Sequence, residues 1–224
     1  MEMQADLVRD AQKKFFSEPL LDRFVIEMVS REELWQHFDD SLFAYYPRDL
    51  YFKKENLLLE DQINKLQQWN RMEPYTSDLQ DNLLIREKEN NTVVGIFHGW
   101  QKEYDVYYME TSAIHRDYRR LGIYSALVDR IIGYTNFLGF NTITSCHAPS
   151  NNNVLIAKLK KNFKVISLEI DAVLGINLWL CYFHNRELQR AYEIRCGQID
   201  FSHELFHSSG GTADELLRKI EESE

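Results

Sequence analysis

The residues with the clearest chemical potential lie near the middle of the chain. Arg119-Arg120-Leu121-Gly122-Ile123-Tyr124 stands where a strand-like run gives way to a helical pattern, so backbone N–H groups and the positive end of a helix dipole converge on one spot. Such a spot suits a diphosphate. Arg119 and Arg120 add positive charge, and Gly122 removes a side chain where a phosphate must approach the backbone closely. An R-x-x-G match alone also fits an ordinary turn, so its meaning depends on its surroundings. Upstream, Tyr108 and Glu110 alternate along a strand-like run and so share one face. A carboxylate there has the chemistry of a general base, and equally that of a solvated strand carboxylate or an arginine partner. His147, ending another apolar run, is a further acid–base candidate whose plainer role is a capping or core imidazole; His115 carries less weight.

The elements that must position these residues follow from periodicity. Leu7, Val8, Ala11, Phe15 and Phe16 give a helix over 5–17. Phe24 to Val29 reads as a strand, and Ser30-Arg31-Glu32-Glu33 as a capping box opening a helix through Leu34, Phe38 and Leu42. Leu58 to Trp69 returns to helical spacing. Leu83 to Arg86, Val93 to Trp100 and Val106 to Ile114 form an antiparallel meander, its first turn at Glu89-Asn90-Asn91. A helix over 121–138 carries Tyr124, Leu127, Val128, Ile131 and Ile132 and ends near Gly139. Thr142 to His147 is a buried strand, Asn151-Asn152-Asn153 caps a helix with Leu155, Ile156 and Leu159, and Phe163 to Ile170 and Val173 to Phe183 are two final strands. One helix then runs to about Cys196, and a Thr212-Ala213-Asp214-Glu215 box opens a last one.

Bulk properties narrow the function classes. A chain of 224 residues with 44% hydrophobic and 27% charged residues is globular, with one core and short terminal additions. Twenty-six Lys and Arg against thirty-five Asp and Glu give a net charge of −9, which disfavours nucleic acid and anionic lipid; the short cluster Lys158, Lys160, Lys161 and Lys164 is too small to reverse this. Cys146, Cys181 and Cys196 show neither a disulfide framework nor metal-ligand spacing, so no metal and a reducing, cytoplasmic setting are expected. Charged residues Glu2, Asp6, Arg9 and Asp10 occupy the place of a signal sequence, and the longest apolar run, 173–183, is too short to span a bilayer.

Taken with the element order, these motifs resemble the GNAT N-acetyltransferases, in a bacterial-type form, over about 23–184 and most strongly over 106–184. His115 to Ile123 looks like the family's acetyl-CoA signature, and Asn151 through Phe163 looks like its second motif. The resemblance implies an α/β fold with a mixed, mostly antiparallel sheet and helices on both faces. It implies a terminal extension at 1–22, an acyltransferase domain at 23–184 and a helical tail at 185–224. It also implies acetyl-CoA as co-substrate, its diphosphate on Arg119, Arg120, Leu121, Gly122, Ile123, Tyr124 and Ser125. The backbone of Ser112, Ala113 and Ile114 would pair with the pantetheine arm as an added strand, and Asn153 would contact that arm. Two positions depart from the family pattern: the third small position of the signature is Tyr124, and the tyrosine that in many members protonates the departing thiolate is Lys158. The implied activity is direct acetyl transfer to a primary amine of a small molecule or peptide, with Glu110 as first choice of base and Tyr108 and His147 as further catalytic candidates. A non-catalytic acyl-CoA-binding module is the alternative. A homodimer is compatible with either, and no nucleic-acid or membrane partner is expected.

Overall fold

The computed structural model describes residues 2–40, 79–171 and 175–196. Helix α1 (Glu2–Phe16) and strand β1 (Phe24–Met28) open the chain. Helix α2 (Arg31–Asp40) follows, and the Glu33 amide donates to Ser30 Oγ at 3.1 Å, one half of the capping box. Strands β2 (Gln80–Glu87), β3 (Val93–Glu103) and β4 (Val106–Ile114) are the antiparallel meander, and Asn91 supplies the positive φ (58°) of its first turn. Helix α3 (Ile123–Phe137), strand β5 (Thr142–His147), helix α4 (Asn152–Lys160) and strands β6 (Lys164–Asp171) and β7 (Gly175–Phe183) complete the sheet region. The helical pattern at 58–69, the aromatic residues Tyr45, Tyr46, Tyr51, Phe52 and Trp69, and the box at Thr212 lie outside the described residues.

The seven strands take the order β1-β2-β3-β4-β5-β7-β6. β4 and β5 run parallel, while β1/β2, β2/β3, β3/β4 and β6/β7 are antiparallel. Both faces of this mixed sheet are covered by helices. On one, Leu83, Ile85, Phe97, Tyr107 and Met109 pack with Ala11 and Phe16 of α1 and with the buried stripe Ile123, Leu127, Val128, Ile131 and Tyr134 of α3. On the other, Leu84, Ile96 and Ala113 meet Leu34 and Phe38 of α2. Burying each such aliphatic side chain contributes roughly 1.5–3 kcal/mol. The buried stripe of α3 is rotated slightly from the one read in the sequence, since Tyr124 and Ile132 sit half-buried at its margin.

Two contacts lock α1 onto α3. Gly133 lets the helices approach, because a Cβ there would stand 2.7 Å from Phe15 Cε1. Arg130 donates to the carbonyls of Phe15 (3.0 Å) and Pro19 (3.1 Å), satisfying groups left over where α1 ends. Beneath them the fully buried Asp81 carboxylate accepts from Tyr107 Oη (2.8 Å), Tyr134 Oη (3.0 Å) and Gln12 Nε2 (3.0 Å), tying β2, β4, α3 and α1 together.

The chain divides into two compact units, Met1–Tyr182 and Phe183–Glu224. In the second, Asn185 Oδ1 accepts from the amides of Glu187 (2.9 Å) and Leu188 (3.2 Å), capping helix α5 (Arg186–Arg195). No helix among the described residues is long and apolar enough to cross a membrane.

Candidate active site

The site begins where two parallel strands part. β4 and β5 pair through Val106–Thr142, Tyr107–Ile143 and Tyr108–Thr144; beyond that β4 continues to Ile114 and β5 to His147 without further pairs. A wedge opens above Tyr108 and Thr144, and an extended ligand can enter it as an added strand on β4. Thr144 Oγ1, buried at the apex, has no hydrogen-bond partner among the described residues, so a polar group in the wedge would satisfy it.

A bulge re-aims β4 at this level. His98 pairs with Thr111 and Gly99 with Met109, leaving Glu110 as the extra residue. Before the bulge Tyr107 and Met109 face the α1/α3 core; after it Ala113 joins the α2 side and Ile114 the α1/α3 side, the reverse of unbroken alternation.

The loop from β4 to α3 forms the upper rim. Arg119 Nε donates to Ile114 O (3.1 Å), fastening the loop to the end of β4. Tyr118 donates to Glu87 Oε2 (2.9 Å), and Arg23 and Asn90 hold the same carboxylate below its ordinary pKa, Arg23 being the largest cause. Arg120 and Gly122 both adopt positive φ, 65° and 82°. The first intrahelical bond runs from Ala126 N to Gly122 O (3.0 Å), so the amides of Ile123, Tyr124 and Ser125 precede the helix's own pairing and point out of its positive end. Among the described residues a Cβ on Gly122 would meet only Leu21 Cδ1, at 3.6 Å, so the glycine keeps open the ground on which an anion would rest. The residues present therefore fit a diphosphate with an extended arm. Leu121 is exposed, Ile123 is buried and anchors the loop in the core, and Ser125 is half-buried. Asn153 is exposed on the first turn of α4, and Asn151 occupies the N-cap without a side-chain capping bond, unlike the cap read from the Asn run.

On the α2 side of the wedge, Glu110 and Tyr108 both border Trp100. The Trp100 indole donates to Glu110 Oε2 at 2.6 Å, and its ring meets Tyr108 edge-on at 5.8 Å. Buried His98 lies with Nε2 3.7 Å from the same carboxylate oxygen and Nδ1 2.8 Å from Asn82 Oδ1; burial lowers its pKa. Tyr108 also stacks on Trp179 (5.5 Å), whose indole donates to Glu169 Oε2 at 2.6 Å. Burial raises the Tyr108 pKa, keeping the phenol protonated at neutral pH. Two carboxylates, each held by an indole N–H, thus flank an aromatic surface.

On the α3 side, Lys158 is not part of a surface basic cluster. It is fully buried, its Nζ 3.5 Å from Met109 Sδ and 4.8 Å from the centre of the Phe163 ring, and burial lowers its pKa to about 7. Lys161 of the same cluster pairs with Asp129 at 2.6 Å. His147 bonds Ser145 Oγ at 3.1 Å, and burial, with the Lys158 charge, lowers its pKa to about 3, so it is neutral at physiological pH.

The sequence model of the acetyltransferase (GNAT) family matches residues 20–162. The chain belongs to that family. As a GNAT acetyltransferase it is an N-acetyltransferase by family. Among curated protein sequences none matches. Solved structures share the fold at low identity. The ribosomal-protein-S18-alanine N-acetyltransferase from Escherichia coli is 13% identical, with TM-score 0.51, over 71% of this chain and 93% of that one. A probable acetyltransferase from Staphylococcus epidermidis is 14% identical, with TM-score 0.53, over 72% and 99%. The spermidine/spermine N-acetyltransferase SpeG from Vibrio cholerae is 12% identical, with TM-score 0.50, over 75% and 97%.

Within this GNAT chain the structure brings the loop 119–125 and the strand end 112–114 to one rim, and Tyr108 and Glu110 to one side of the wedge. His147 lies apart from that pair, toward Lys158. Sequence reasoning missed His98, Trp100 and Trp179 beside the carboxylates. The alternation of β3 carried a signal for His98 and Trp100, but the bulge opposite them was needed to bring Glu110 within reach.

Proposed function

We propose that this GNAT chain transfers an acetyl group from acetyl-CoA to a primary amine of a small molecule or peptide by direct attack. The observation that carries the reading is the juxtaposition, at one wedge, of the Gly122 loop on the rim and the indole-held Glu110 beside the apex. The amides of Ile123 to Ser125, with Arg120, would hold the diphosphate, and the β4 backbone over Ser112 to Ile114 the pantetheine arm, with Asn153 beside it. Acetyl-CoA supplies an activated acyl carbon and a sulfur leaving group. Glu110 accepts the proton that the amine gives up, directly or through one water; Trp100 fixes the carboxylate. Neutral His98, close to the same oxygen, can hold that water. Glu110 and Glu169 around Tyr108 and Trp179 favour an acceptor that arrives as a cation. The free thiols Cys146, Cys181 and Cys196 fit a reducing, cytoplasmic setting.

An amine panel scored by release of CoA thiol tests the reading. Turnover with at least one primary amine supports it. Saturable acetyl-CoA binding with no turnover across small-molecule and peptide amines would instead leave the chain as an acyl-CoA-binding module.

A further inference from the structure

We propose that the β6–β7 hairpin and helix α4 form a self-association surface, on which a second copy of this chain docks reciprocally, each α4 lying on the other copy's hairpin. The two strands divide sharply by side. Trp179 stacks on Tyr108 on the α2 side, and its cross-strand pair Ser167 and hydrogen-bond partner Glu169 lie there with it. Alternation sends the intervening residues to the side of α3 and α4, where Leu180 belongs to the main core. These are Leu168 paired with Leu178 and Ile170 paired with Ile176; the bulge between Val165 and Ser167 brings Val165, opposite Leu180, to the same side. Beyond Leu180 this face is apolar and open: Leu168 is 62% exposed, Ile170 78% and Ile176 51%, and none of them joins either core cluster. β6 is also the outer strand of the sheet. Edge strands are ordinarily protected by charged side chains or a covering helix, yet Glu169 and Asp171 both fall on the opposite face.

Helix α4 carries the matching patch. Leu155 packs on the core and Lys158 is buried, which leaves Ile156 (52% exposed) and Leu159 (47%), neighbours on the helix surface, along its outer flank. A twofold axis between copies sets one helix flank on the other's sheet face and repeats the contact, so a single isologous interface covers both patches. Area and charge favour a second copy as the occupant. Ile156, Leu159, Val165, Leu168, Ile170 and Ile176 together present roughly 600 Å² per copy, close to the ~800 Å² that each partner of a standard interface contributes once a polar rim is added. α4 has no acidic residue and ends on Lys160, whereas the hairpin carries Glu169 and Asp171 toward its turn, so α4 against hairpin opposes unlike charges. The other face of the same strands bears Trp179 and Glu169, so docking also steadies one wall of the acceptor side. Association requires no bound acetyl-CoA.

The test is sedimentation velocity of the full chain from about 0.1 to 100 μM, with circular dichroism to verify that each variant is folded. Wild type should show a monomer–dimer equilibrium with a Kd on the order of 1–10 μM. Ile170→Glu and Ile156→Lys, both at exposed positions of the single chain, should each weaken association by about 30-fold or more, because each places a lone charge in the buried contact. The double variant carrying both changes opposes unlike charges at the two symmetry-related contacts and should recover about tenfold of that loss. Wild type that stays monomeric throughout the range overturns the proposal, whatever the variants do. So does a dimer that survives Ile170→Glu, since it must use another surface. A dimer lost in Ile170→Glu but unchanged in Ile156→Lys contradicts the pairing of hairpin with α4.

Discussion

At the scale of single residues, burial separates groups that look alike in the sequence. Lys158 stands in a run with Lys160 and Lys161 and reads there as surface charge, yet it is the one of the three that is buried. Nothing in residue type announces this. Its folded pKa, about 7 against 10.5, means that between those values the unfolded chain binds more protons, so stability contributed by this site rises with pH across that window and is lost as pH falls toward 7. Lys158→Met should abolish that slope and stabilise the fold at neutral pH by roughly 2–4 kcal/mol, read from urea midpoints at several pH values. Glu110 makes the complementary prediction. Glu110→Gln preserves the bond from Trp100, and should retain acetyl-CoA affinity while lowering turnover by about 10²-fold or more; unchanged turnover would remove it as the base.

At the scale of elements, most of the architecture was legible. β4 and β5 begin and end where the sequence placed them, at Val106–Ile114 and Thr142–His147, because apolar runs bounded by polar turns leave little freedom. The Glu110 bulge was not legible, since the run Val106–Ile114 shows no strict alternation whose break would mark it, and only pairing with β3 reveals the extra residue. The Arg119–Gly122 loop was found through its composition, whereas its fastening by Tyr118 to Glu87 depends on a partner distant in sequence, and the local bond from Arg119 to Ile114 O depends on how the loop turns back on β4. Gly122 lies at φ 82°, a region that costs a residue with a Cβ roughly 1–2 kcal/mol. Gly122→Ala should therefore lower thermal stability modestly, with no steric clash to add to it, while weakening acetyl-CoA binding; a stability loss far above that range would mean the loop is held by contacts other than those described.

At the scale of the whole molecule, the sheet and its helices meet at Asp81. Its carboxyl group accepts from residues of α1, β4 and α3, and burial raises its pKa despite those bonds. A carboxyl group with a raised folded pKa binds protons more readily folded than unfolded, so its contribution is fully present below the unfolded pKa and is lost as pH rises through the folded one. Tyr134→Phe removes one donor from this buried centre and should destabilise the fold by about 1–3 kcal/mol in denaturant titrations, although Tyr134 lies on α3 beyond the loop that opens it. Acetyl-CoA affinity of that variant should stay near wild type, since the wedge and the Gly122 loop are left untouched.

The central claim is that the wedge and the Gly122 loop together bind acetyl-CoA. Calorimetric titration of wild type and Gly122→Glu with acetyl-CoA, with CoA, and with a nucleotide lacking the pantetheine arm tests it most directly. The account predicts saturable binding by wild type that requires the arm, and its loss in Gly122→Glu with the fold retained, because a carboxylate then stands where the diphosphate rests. Equal affinity in the two proteins, or no binding by folded wild type, would contradict it.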